Sequence, residues 1–339
     1  MTKRFDFRLV LLWALVLLPL LAGLFCIGVG RYSLTVGESF KVLARALAFG
    51  RDGVDPMNYS VVVNIRLPRV LLALLCGAGL AASGAAFQSI FTNPLATPDT
   101  LGVAAGASFG AVLALLFWDN LLWIQAMALV SGLAAVSLTF WISRSRGQSS
   151  VLMMILSGVV VSSMFQAFVS LVKYLADPED KLPAITYWLL GSLSSITYKS
   201  LAIGAPFILF GLAVLVATRW KLNVLSLSED EARSMGLDVN TLRAVIVVAA
   251  TMITASAISM CGQVGWIGLL VPHVARMLFG SNNRYVVPAS ISLGAVFMLV
   301  IDTVARSATA AEIPVSILTA TIGAPFFIFL LKKTGGNRL

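Results

Sequence analysis

A series of apolar runs, most of about 20 residues and separated by short polar stretches, constrains this chain more than any other feature. A helix rises about 1.5 Å per residue, so a run of about 20 residues crosses the roughly 30 Å hydrocarbon core of a bilayer. The runs lie near residues 9–29, 66–88, 101–117, 121–143, 151–176, 200–218, 242–260, 265–279, 286–303 and 313–331. Hydrophobic residues are 59% of the 339 and charged residues only 12%, against the roughly 45–50% apolar content of a soluble domain. Membrane barrels use alternating segments of about ten residues, so these longer runs indicate helices. The expected fold is an all-α membrane protein of about ten transmembrane helices, a single transmembrane domain over residues 1–339. Ten crossings put both termini on one face. The first run is longer than a secretory signal and has no small-x-small cleavage site after it, so it reads as a retained span.

The net charge of +9 raises the question of nucleic acid, but no stretch gathers Lys and Arg into a patch. Basic residues instead fall between the runs: Lys3, Arg4 and Arg8, then Arg144 and Arg146, Arg219, Lys221 and Arg233, Arg284, and Lys332, Lys333 and Arg338. By the positive-inside rule this face, with both termini, is cytoplasmic, in a multi-pass protein of the inner membrane. Arg31, Lys41, Arg45, Arg51, Arg66 and Arg69 run against that bias in the long first outer loop.

Chemistry-bearing residues are sparse. Cys26, Cys76 and Cys261 sit in or beside apolar segments at spacings that match no metal site. His273, the one histidine, follows Pro272 and reads as a helix-end hydrogen bonder, and no metal site is expected. No His, Cys or carboxylate cluster supports an enzyme. Asp302 is the one credible intramembrane acid, with Arg306 one helical turn on as its partner. A carrier driven by an ion gradient would be expected to hold midplane carboxylates or broken-helix ion sites, which makes it the distant alternative.

Two stretches depart from plain membrane helix. Residues 92–110 carry Pro94 and Pro98 and then a row of small residues. This is either a loop before a tightly packed span or a gating loop beside a permeation path. Residues 219–241 form the longest polar insertion on the inner face. Within it, Ser228 with Glu231 makes a capping box, Glu229 and Asp230 suit the positive end of a helix, and Gly236 ends it. That helix is either interfacial or a docking element for a cytoplasmic partner. Small-residue runs leading to proline at 77–98 and 254–272 suggest an inverted repeat.

Several motifs coincide, in order and spacing over residues 60–332, with one family. They are Arg66-Leu67-Pro68-Arg69; Asn93-Pro94-Leu95-Ala96 with Pro98 and Leu101-Gly102; Trp188-Leu189-Leu190-Gly191-Ser192-Leu193; Leu225-Ser226-Leu227 with Ala232-Arg233 and Met235-Gly236-Leu237; Gly265-Trp266-Ile267-Gly268-Leu269 with Val271-Pro272-His273; Asp302-Thr303-Val304-Ala305-Arg306; Glu312-Ile313-Pro314; and Gly323-Ala324-Pro325-Phe326-Phe327. The chain resembles the FecCD-type permeases of ATP-binding-cassette importers for iron-siderophore, haem and cobalamin uptake.

The resemblance implies a homodimer with the path at its interface, two cytoplasmic ATPase subunits and a periplasmic or lipid-anchored binding protein. No Gly-x-x-x-x-Gly-Lys-Ser/Thr loop is present, so ATP and Mg belong to the partner ATPase and this chain binds no cofactor. The implied cargo is an iron chelate, ferric siderophore first, with haem or cobalamin as alternatives. The resemblance also carries residue roles. The coupling helix maps to 228–237, with Ser228, Glu229, Glu231, Ala232, Arg233, Met235, Gly236 and Leu237. Docking of the binding protein maps to Arg66, Arg69 and Arg306, whose forks suit carboxylates, the alternative being snorkelling at the interface. The cytoplasmic gate maps to Asn93 and Leu95, with a second gate at Ser149 and Ser150 that a short gap would move to Val151 and Leu152. Met153, Met154, Met164 and Gln166 either face the cargo or pack as core.

Overall fold

A computed structural model describes residues 7–118, 120–143, 151–227 and 229–334. Among the described residues the regular structure is helical. Helix α1 (Phe7–Gly28) is followed by α2 (Val36–Phe49) and the short α3 (Pro56–Tyr59). Wider turns over Ser60–Arg66 lead into α4 (Leu67–Ile90). Then come α5 (Val103–Phe117), α6 (Leu121–Ser143), α7 (Val151–Leu175), α8 (Lys181–Leu189) and α9 (Tyr198–Thr218). Two short helices follow, α10 (Lys221–Leu225) and α11 (Glu229–Ser234). The last four are α12 (Val239–Cys261), α13 (Ile267–Phe279), α14 (Asn283–Ser307) and α15 (Val315–Thr334).

Among the described residues, six helical segments are long and apolar enough to cross a membrane: Pro56–Ile90, Leu121–Ser143, Leu152–Leu175, Tyr198–Thr218, Val239–Cys261 and Asn283–Ser307. Four more apolar helices are shorter: Ala14–Gly28, Val103–Phe117, Ile267–Phe279 and Val315–Phe329. The segment around Leu67 differs from its sequence reading, because the helix starts upstream at Pro56, where the Asp55 side chain caps it by accepting from the Asn58 N–H at 3.0 Å. Pro68 has no N–H to give to the carbonyl four residues back, and the turns before it widen. The first outer loop also contains more order than its polarity suggests. Thr35 and Glu38 form a reciprocal capping box that starts α2, with Oε2 of Glu38 accepting from the Thr35 N–H at 2.8 Å.

Helix α4 is the axis of the bundle. Its apolar segment is 83% buried inside this one chain, against 28% for α9, which marks α4 as interior and α9 as peripheral. Helices α12, α13 and α14 pack on α4, and α5, α6 and α7 form a second group joined to it through α12. Small residues allow the close crossings: a Cβ on Gly77 would lie 2.2 Å from the Gly294 carbonyl oxygen, and one on Gly84 would lie 1.8 Å from that of Gly268. In lipid, where no water drives helices together, such backbone approach supplies the dispersion contact that holds a bundle. The two small-residue stretches noted in the sequence therefore meet face to face.

Candidate functional site

Three zones carry polar groups that the packing of helices does not require. The first is a cavity of about 300 Å³ lined by residues of the α4–α5 connection, α7, α12 and the α12–α13 connection. Both connections are irregular. After α4, the Asn93 Oδ1 accepts from the Leu95 N–H at 2.9 Å, and Pro98–Leu101 forms a tight helical turn. Leu101 is fully buried, and its carbonyl accepts from Thr139 Oγ1 at 2.9 Å. The Asp99 carbonyl faces Ser162 Oγ near the middle of α7. The chain thus tucks back among the helices instead of looping away from them, a course open only to backbone that is covered by protein or lines a wet cavity. After α12, Gln263 Nε2 donates to Ser108 Oγ at 2.8 Å and Trp266 adopts φ 71°. A bulky residue in the left-handed region stores strain that its surroundings must hold. Here Phe327, with ring centroids 6.5 Å away, and the bare face of Gly323 receive the indole.

Of the α7 side chains expected to face cargo, Gln166 lines this cavity. Met164 packs against the Ala105, Ala135, Val161 and Phe165 cluster, Met154 is fully buried, and Met153 lies exposed near the start of the helix. Asn93 is half-buried and Leu95 is exposed on the turn that precedes the cavity. Ser149 and Ser150 lie outside the described residues.

The second zone is at the end of the bundle that carries α11, the inner end on the positive-inside reading, which makes the opposite end the outer one. In the stretch expected to be a coupling helix over 228–237, α11 spans Glu229–Ser234, Ser228 lies outside the described residues, and Gly236 reverses the chain at φ +77° with its N–H on the Arg233 carbonyl at 2.9 Å. Ala232 is buried and is the residue that seats the helix, while Glu231, Arg233 and Met235 are exposed and Leu237 is half-buried. Directly after it, Asp238 caps α12 by accepting from the Asn240 and Thr241 N–H groups and from Thr241 Oγ1 at 2.6 Å. These bonds, those from Thr241 foremost, hold its carboxyl below the usual range.

Sequence reasoning missed how α11 is wired to the bundle. On its N-terminal side, α10 buries Leu222, Val224 and Leu225. Asn223 Oδ1 accepts from the Asn283 N–H at 2.8 Å, and Ser226 Oγ donates to the Ser89 carbonyl at 3.2 Å. Ser89 Oγ also bonds Asn283 Oδ1 at 2.8 Å, and Arg276 donates to Gln88 and to Ser89. The inner ends of α4 and α14 are thereby tied to the segment that carries α11. No local signal in the sequence announces these bonds, since each joins residues far apart in the chain.

The third zone is at the outer end. Arg66, Arg69 and Arg306 are buried, with relative exposures of 4%, 5% and 7%. Arg66 donates to the Ile27 carbonyl at 2.9 Å and the Tyr32 carbonyl at 2.8 Å. Arg69 places Nε 2.7 Å from Asp302 Oδ1 and holds Glu312 in a two-pronged pair at 2.8 and 3.0 Å. Asp302 pairs with Arg306 one turn on, as expected, at 3.5 Å, and it gains a nearer second partner in Arg69, contributed by another helix; Arg306 also donates to the Cys26 carbonyl. Glu312 is the exposed member of the cluster.

His273 also departs from its sequence reading. It lies within α13, and its Nε2 is buried with no hydrogen-bond partner. Among the described residues there is no group of three His, Cys, Asp or Glu that would hold a metal.

Apolar helices folded around a polar cavity, with broken backbone at its wall, define a membrane transport subunit. The chain belongs to the FecCD transport family, which matches residues 17–333. It is 41% identical over 332 residues to the molybdate import system permease protein of Haemophilus influenzae, covering 96% of this chain and 97% of that one. It is 41% identical over 278 residues to an iron chelatin transport system permease protein of Helicobacter pylori, covering 81% and 83%. A solved structure, an inward-facing conformation of a metal-chelate type ABC transporter, superposes with a TM-score of 0.85 at 39% identity and covers 95% of this chain and 98% of that one. The protein is accordingly a multi-pass permease subunit of an importer in the inner membrane, a transport component and not an enzyme.

Proposed function

We propose that two copies of this chain form the path of an ATP-driven importer for a ferric chelate, a ferric siderophore in the first place, which crosses by alternating access. The carrying observation is the cavity built from two irregular connections and α7, in a chain that superposes over 95% of its length on an inward-facing metal-chelate transporter. On this reading the four shorter apolar helices complete ten crossings with both termini cytoplasmic, and the crossing of Gly84 with Gly268 relates two inverted halves. Two ATPase subunits supply ATP and Mg, and each takes α11 as its coupling element: Ala232 anchors it while Glu231, Arg233 and Met235 make the contact. A periplasmic binding protein docks at the outer rim. There Arg66, Arg69 and Arg306 are the basic residues, and Glu312 is the group that a docking carboxylate displaces from Arg69. The turn at Asn93 and Leu95 closes the inner side, with Ser149 and Ser150 as the second gate.

One observation favours a second cargo. The Haemophilus relative, similar over nearly its whole length, is named for molybdate. Uptake into proteoliposomes holding this chain with its ATPase and binding protein separates the two. Labelled ferric siderophore, haem, cobalamin and molybdate are offered with and without internal ATP. ATP-dependent accumulation of the ferric chelate is the expected result. Accumulation of molybdate alone replaces the cargo, and uptake driven by an ion gradient without either partner overturns the importer.

A further inference from the structure

Among the residues that line the cavity, one is charged. Asp99 opens the tight turn Pro98–Leu101, and the lining holds no lysine, arginine or histidine. The Asp99 backbone is engaged, its carbonyl taking the Gly102 N–H at 3.0 Å. Its carboxylate forms no hydrogen bond or ion pair with any described residue, and the residue is exposed where it lines the cavity. Asp302, the buried acid on α14, behaves differently: it is paired with Arg69. Because Asp99 is exposed on the cavity wall and has no cation beside it there, its charge is open to whatever enters the cavity.

Two further features of the same wall point to a ligand. Thr254 lines the cavity at 2% exposure, and its Oγ1 has no partner, even though a helical threonine can bond the carbonyl one turn back, as Thr251 does at 2.8 Å. Trp266 lines it too, in its strained left-handed conformation. Gln166 and Gln263 add amides that bond equally well to donors and acceptors. The wall therefore has neutral groups for either kind of partner, and a single fixed charge that repels anions and attracts cations.

We propose that Asp99 is a specificity-determining residue of the path: its unpaired carboxylate favours metal chelates of neutral or positive charge, and chelates rich in N–H or O–H donors, over anionic cargo. This rests on the reading of the cavity as the translocation path for a ferric chelate. A free oxyanion would meet the carboxylate with no cation in the wall to offset it.

The test uses the whole importer in proteoliposomes: this chain, its ATPase and its binding protein. A cationic, a neutral and an anionic ferric trihydroxamate of one scaffold are compared. The binding protein's affinity for each is measured separately, and uptake is expressed per ATP hydrolysed. Wild type is expected to move the cationic chelate several-fold more efficiently than the anionic one. Asp99→Asn should flatten that order, Asp99→Lys should reverse it, and Asp99→Glu should retain it. An order that Asp99→Asn and Asp99→Lys leave in place overturns the role of Asp99 while leaving the importer intact. Failure of wild type to take up any ferric chelate, with ATP-dependent uptake of molybdate, overturns the cargo reading first and this inference with it.

Discussion

At the outer end, three arginines lie inside the protein with their forks already occupied; at the inner end, Glu231 and Arg233 stand exposed on a helix of six residues. The same residue types are thus committed to the fold at one end and presented to the surroundings at the other. A buried pair must satisfy itself internally, because its cost when broken is the stranding of a charge in a low-dielectric interior. An exposed charge on a short helix adds little to stability and can contribute to recognition of a partner by complementarity. Mutations at the outer end should therefore be read first in unfolding, and mutations at the inner end first in coupling.

The largest expected effect tests the outer half of that contrast. Arg69→Ala leaves Asp302, 1% exposed, without its near partner and should cost about 3–5 kcal/mol in thermal unfolding of the detergent-solubilised protein. Replacing Arg69, Asp302 and Arg306 together by apolar residues of similar size should cost less than Arg69→Ala, because no buried charge is then stranded. Equal losses in the single and triple variants would mean that the cluster does not act as a unit.

At the inner end Arg233→Glu should leave unfolding within about 0.5 kcal/mol of wild type, as surface changes do. Co-purification of the ATPase should weaken by about tenfold, which corresponds to about 1.4 kcal/mol. A large stability loss with unchanged assembly would erase the contrast. Between the two ends in character is Asn223, which ties the segment before α11 to Asn282 and Asn283. Asn223→Ala should lose about 1 kcal/mol of stability and, alongside that, should lower transport per ATP more than it lowers ATP hydrolysis. Unchanged transport per ATP would break the proposed mechanical link.

The smallest effect is in pH. The carboxyl of Asp238 is held below its usual range by the Thr241 bonds. Its contribution is therefore full above the ordinary aspartate value of about 4 and is lost as pH falls through the lower folded value. Asp238→Asn should flatten the acid limb of the stability profile and leave neutral pH almost untouched. An unaltered acid limb would remove the cap from the account of the inner end.

The two ends also differ in how far they were legible. The existence and placement of α11 could be read locally, because Gly236 supplies the left-handed turn and acids gather at the helix start. Its six-residue length could not be, since helix ends depend on what seats them, here the buried Ala232. At the outer end, Arg306 is four residues from Asp302 and reads as its partner. The nearer Arg69 is brought in by α4, from 233 residues away in sequence. Helix α2 was passed over because polar and basic residues dominate the loop that contains it, although Thr35 and Glu38 did carry the capping signal.

Apolar runs determined by themselves that the chain is a bundle of membrane helices, because no other fold satisfies about 20 consecutive apolar residues and their backbone in lipid. Motif order determined the family, now matched over residues 17–333. What only the tertiary structure decided is where the polar minority goes. Arg69 is locked to Asp302 and Glu312, Asp99 is left facing a cavity, and Thr254 and Trp266 share its wall. Helical periodicity sets which face of a helix a residue occupies. What lies opposite that face depends on close crossings such as Gly84 on Gly268, and those are settled by packing between segments 180 residues apart.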